Sequence, residues 1–150
     1  MSFYEIGKAT VAATTGSAYA TCHGLTTLLP EIVEVGFFCN AATASSVEIA
    51  RPANTPAAST STLFTALDPD AQPASQVNFD TAWGTAPTTP TAIFRLVTLP
   101  AVIGAGYVAV WQLGTGIKLA KTAGSGQWMV LWNFGAGTGS VLNAYVREDE

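Results

Sequence analysis

Cys22 and His23 stand side by side in "SAYATCHG", the one pair in the chain whose types suggest a metal or a nucleophile. A thiolate and an imidazole can supply two zinc ligands, but a closed site takes four. No Cys-x-x-Cys or His-x-x-x-His pattern offers the rest, and Cys39 would join only if the fold carried it there. His23 is also the single histidine. A hydrolytic triad would have to use it as the base, and no Gly-x-Ser-x-Gly elbow presents a nucleophile to it. The bland reading is a strand-edge histidine without partners beside a small buried thiol.

Three other stretches raise and then lose a chemical reading. "GAGTGS", Gly135 to Ser140, has the glycines of a phosphate cradle but not the Gly-Lys-Ser/Thr ending or a following helix. It reads as a hairpin turn between "QWMVLWNF" and "SVLNAYVRE". "LDPDAQP" sets Asp68 and Asp70 two apart, a spacing open to Ca²⁺ or acid–base work. Asp before Pro is equally a turn opener. The closing "REDE" reads as a solvated acidic tail. Trp83, Trp111, Trp128 and Trp132 could stack a sugar or form core; Trp111 and Trp132 lie in apolar strands and are expected in the core, whereas Trp83, in "TAWGTAPTTP", is the candidate for an exposed contact. The expectation is a chain with no metal, no cofactor and no catalysis.

The elements around these residues are strands. "EIVEVGFFCN" puts Val33, Val35, Phe37 and Cys39 on one face and Glu34, Gly36 and Asn40 on the other. "SSVEIAR" repeats the alternation, and "QVNFDTAW", "TAIFRLVTL", "GYVAVWQL", "QWMVLWNF" and "SVLNAYVRE" follow at short intervals between Gly, Pro, Thr or Asn. Trp128 to Phe134 is apolar on both faces, as in a central, doubly covered strand or an oligomer contact. Eight to ten such segments with little helical periodicity predict an all-β antiparallel sandwich or barrel in one domain, residues 1–150. Residues 53–76, rich in Ala, Ser, Thr and Pro, are expected as a long loop, with Leu63, Phe64 and Leu67 anchoring one turn.

Composition narrows the partners. Charged residues are 11% of the chain, the net charge is −4 and only six residues are Lys or Arg. That is too little positive charge for a nucleic-acid surface. No apolar run is long enough for a membrane helix, and "MSFYEIGKAT" lacks the basic-then-apolar pattern of an export signal, so synthesis in a cytoplasm with reduced thiols is expected. Loops such as "NAATASS" carry Ala, Ser and Thr where a solvated loop would carry charge. Small residues lose little entropy when ordered. Such a surface suits burial against neighbours.

The sequence of "VEVGFFCNAATASSVEIARP", read as a hairpin ending in Arg, then "LDPDAQPAS", "TAWGTAPTTP", "TAIFRLVTLP", "GYVAVWQLGTGIKLA" and "GQWMVLWNFGAGTGS" resembles virion proteins of tailed phages. In particular it is similar to their jelly-roll capsid decoration (cement) proteins, over roughly residues 33–140. The resemblance implies a jelly roll of about eight strands. It also implies homotrimers bound to the major capsid protein on the outside of a capsid assembled in the host cytoplasm, stabilising it without catalysis. The surfaces expected to reach neighbours are an N-terminal arm, with Ser2, Phe3, Tyr4 and Glu5, and the 53–76 loop, with Leu63, Phe64 and Leu67. Trp83 joins them. A carbohydrate-binding jelly-roll module or fibre tip using Trp83 is the alternative.

Overall fold

Strand alternation in the sequence becomes the two sides of two sheets. The computed structural model describes residues 2–25, 28–70 and 74–150. Among them the strands are β1 (Phe3–Ala9), β2 (Ala18–Gly24), β3 (Glu31–Cys39), β4 (Ser45–Arg51), β5 (Ala57–Leu63) and β6 (Thr65–Ala66). They continue as β7 (Val77–Thr85), β8 (Ala92–Leu99), β9 (Gly106–Val110), β10 (Ile117–Lys118), β11 (Trp128–Trp132) and β12 (Leu142–Asp149). One 3-10 turn, Ser125–Gln127, precedes β11. The all-β expectation holds, and every strand pairing is antiparallel.

The first sheet runs β10-β3-β12-β1-β6, with β9 also on β3; the second runs β5-β7-β2-β11-β4-β8. Their facing sides share one core. Tyr4 and Ile6 of β1, Val35 and Phe37 of β3, and Val146 of β12 meet Cys22, Ile49, Phe79, Met129 and Leu131 of the second sheet. Burying a side chain such as Phe37 stabilises the fold by roughly 1.5–3 kcal/mol. In β3 the register skips Val33: Glu34 pairs with Arg147 and Ile32 with Glu148. That bulge turns Ile32 inward beside Val35, a change of face that strict alternation misses.

Four expectations need correction. Residues 57–63 and 65–66 of the expected 53–76 loop form β5 and β6, so the segment widens both sheets; residues 71–73 lie outside the described set. Among the described residues, Phe3–Ala9 is a paired strand and not the expected N-terminal arm, because β1 lies between β12 and β6. "NAATASS" joins β3 in one sheet to β4 in the other, so the stretch is not a hairpin. "GAGTGS" crosses between sheets in the same way, from β11 to β12. The two crossings lie together: Asn40 N donates to Val141 O at 3.0 Å and Ala41 N to Ser140 Oγ at 3.1 Å. Small side chains let two such connections approach.

The chain ends meet. Ser2 N donates to Glu150 O at 3.0 Å, and Glu150 N returns a bond to Ser2 O at 3.1 Å, continuing the β1–β12 ladder.

Candidate functional site

Strand register assembles a polar cluster that no local motif announces. In the β2–β7 pairing, Thr21 lies opposite Asp80 and Cys22 opposite Phe79. Phe79 and Cys22 face the core, so Asp80 and Thr21 face away from it, with His23 on their side. Asp80 is nonetheless 0% exposed. A buried carboxylate is costly unless its oxygens are bonded, and these are. His23 Nδ1 donates to Asp80 Oδ2 at 2.7 Å, Thr21 Oγ1 to the same oxygen at 3.0 Å, and Ser61 Oγ of β5 to Oδ1 at 2.5 Å. Trp83 Nε1 donates to Thr21 Oγ1 at 2.9 Å. The His23 ring stacks on Trp128 with centroids 4.5 Å apart.

Histidine held by a buried carboxylate is two-thirds of a hydrolytic triad. Among the described residues no hydroxyl bonds the far ring nitrogen. Both nearby hydroxyls donate to Asp80 instead, which makes the cluster a clamp across β2, β7 and β5. His23 is therefore not the lone histidine expected. The reason it could not be seen is that Asp80 is 57 positions away and is brought in by pairing alone.

Cys22 and Cys39 are free and buried. Burial, with Asp80 and Glu148 adding their charge, pushes the Cys22 thiol well above its ordinary pKa, the opposite of an activated nucleophile. Cys22 and His23 point to opposite sides of β2. Among the described residues no group of three or more His, Cys, Asp or Glu could hold a metal ion. Asp70 N donates to Asp68 Oδ1 at 3.0 Å, an Asx turn on the surface.

The acidic tail also departs from its reading. Glu148 is wholly buried between the sheets, with Ser75 Oγ donating to its Oε1 and Oε2 without a partner. Burial raises its pKa to about 8; the Ser75 bond pulls the other way, and Glu150 and Asp149 push further up. The carboxyl is thus mostly neutral at pH 7.

The residues expected to reach neighbours are dispersed. Tyr4 is core, and Glu5 pairs with Arg147 Nη2 at 2.7 Å. Ser2 is tied to Glu150, and Phe3 is half-buried opposite Asp149. Phe64 is buried, while Leu63 and Leu67 are exposed. Trp83 lies in β7, half-buried on a second cluster of Ala18, Ala50, Val130 and Trp132. Trp111 is half-buried too, with the Arg95 guanidinium 5.1 Å from its centroid.

Exposed apolar groups gather elsewhere. Ile93, Leu96, Val102, Ile103, Val108, Val110 and Leu113 make seven of the thirteen large exposed apolar side chains among the described residues. They fall within one stretch, β8, β9 and the loops after them. β8 ends one sheet and β9 lies at the border of the other, and the two strands touch.

No protein-family model, curated protein or solved structure matches this chain.

Proposed function

We propose that the chain is a non-enzymatic structural protein of a tailed-phage virion, of the capsid-decoration kind, held to a larger shell and to its own copies through the β8–β9 corner. The observation that carries this reading is the concentration of exposed apolar groups there. An apolar edge strand left in water invites uncontrolled pairing, and natural proteins cover or blunt it. β8 carries one charge, Arg95, whose guanidinium is turned onto Trp111. The edge is therefore little protected. Low overall charge points the same way, since charges are depleted at interface cores.

The jelly-roll reading is supported by strand order. With β5, β6, β7 and β10 set aside, the sheets run β1-β12-β3-β9 and β2-β11-β4-β8. The chain then changes sheet at every step but one, β4 to β8, which are neighbours in the second sheet, an order that fits a jelly roll of two four-stranded sheets. Trimers, and the major capsid protein as partner, come from the family resemblance. The carbohydrate reading built on Trp83 is not favoured, because its indole N–H is spent on Thr21 and its ring packs on the sheet.

Sedimentation of tailed particles from cells carrying the gene tests the proposal. The chain should travel with the particle in many copies, and Leu96→Asp with Ile103→Asp should release it into the supernatant while it stays folded. A chain that is absent from particles and monomeric at micromolar concentration overturns the reading.

A further inference from the structure

The outer side of the first sheet is a grid fixed by register. Three rows run across β1, β12 and β3: Glu5–Arg147–Glu34, Gly7–Tyr145–Gly36 and Ala9–Asn143–Phe38. Tyr145 stands between two glycines and uses one. Its ring lies where a side chain on Gly36 would stand, with Cε1 2.1 Å from that position. Its hydroxyl donates to Glu34 Oε1 at 2.6 Å, which locks the ring over β3. On the other flank, a Cβ on Gly7 would meet nothing within 4 Å. The space so left open is a trough of about 370 Å³ lined by Gly7, Lys8, Ala9, Phe38, Asn143, Ala144 and Tyr145, and the Lys8 ammonium donates to Thr62 Oγ1.

We propose that this trough binds one ring of a neutral oligosaccharide, seated over Gly7 against Tyr145 and hydrogen-bonded by Asn143. The chemistry matches a sugar part by part. An aromatic wall held at one angle accepts the C–H face of a pyranose and is preorganised to do so. The exposed Asn143 amide offers a donor and an acceptor to vicinal hydroxyls. The charged row alongside is already neutralised in part: Arg147 bonds Glu5 Oε2 at 2.7 Å and Glu34 Oε2 at 3.2 Å, which favours an uncharged ligand. The volume lies near the lower end for small-molecule sites, in keeping with one or two rings. This site is independent of the shell reading, and it lies on the other sheet from Trp83.

The experiment is an NMR titration of the full chain with cellohexaose, maltohexaose and chitohexaose at millimolar concentration. At least one should move the amide signals of Gly7, Asn143 and Tyr145 together in a saturable way. Gly7→Val puts a branched side chain into the trough at a position where its Cβ meets nothing within 4 Å, and it should weaken that binding about tenfold or more while the melting temperature stays within a few degrees. Asn143→Ala, on an exposed side chain, should weaken it by a similar factor and gives a second reading if Gly7→Val unfolds. The proposal is overturned if none of the three sugars moves these signals, or if binding survives both substitutions unchanged. Signals moved by an extended Thr-Val hexapeptide, and by no sugar, would assign the trough to a peptide and equally overturn it.

Discussion

The outer sides of the two sheets solve one problem in opposite ways. On the second sheet, Trp83 and Trp132 pack with small neighbours such as Ala18 and Ala50, Trp128 stacks on His23, and a network of donors closes around Asp80, so the surface seals itself. On the first sheet, glycines stand where a neighbour could have filled the gap; Tyr145 covers Gly36 and leaves Gly7 bare. Large rings over alanine make a lid, whereas one ring between two glycines makes a lid and a hole. The contrast shows that a sheet's solvent side can be committed to stability on one layer and left open on the other.

The strongest way to break this contrast is to remove the lid. Trp132→Ala should cost about 3–5 kcal/mol by chemical denaturation, as for a core tryptophan; a loss under about 1 kcal/mol would mean the cluster seals nothing. His23→Ala should follow at roughly 1–3 kcal/mol, because Asp80 loses a donor while remaining buried. No change would return His23 to the idle role its sequence suggests. The two glycines around Tyr145 sharpen the other half. Gly36→Ala should destabilise by about 1–3 kcal/mol, since the added methyl meets a tethered ring. Gly7→Ala should be neutral or stabilising by about 0.4–1 kcal/mol, through the unfolded chain alone.

Acidity gives a smaller test that spares both outer sides. The folded Glu148 pKa, about 8, lies above the unfolded value of 4.5. The folded state therefore keeps a proton that the unfolded chain has lost. That contribution is complete below about pH 4.5 and is lost as pH rises through about 8. The melting temperature should decline over this window, and Glu148→Gln should flatten the decline.

Much of the fold was legible from periodicity alone. β3, β4, β7, β8 and β12 fall on runs whose pattern marks them as strands, and β11 on a run apolar on both faces, buried at every position. β5 was not legible, because "AASTSTL" has small polar residues on both sides and follows Pro52 and Pro56; it is a strand because β7 offers it an edge. The connections were misread for a related reason. A short loop between two strands looks the same whether the second strand pairs with the first or packs across from it. Of the site, single residues were visible but partnerships were not. Gly7, Tyr145 and Gly36 become one feature only when β1, β12 and β3 are side by side.

That same adjacency sets a timetable. β1 is the first strand made and β12 the last, yet they pair along seven positions and close through Ser2 and Glu150. On the ribosome, the edge of β1 that faces β12 has to wait unpaired until the other described strands have emerged. Such long-range closure is slow, and it leaves a nascent sheet exposed to its neighbours on the same message. A circular permutant that joins 150 to 2 through a short linker, opened at the exposed Asp68–Asp70 turn, would turn this last contact into an early one. Its refolding rate would measure how long the natural order keeps the sandwich open.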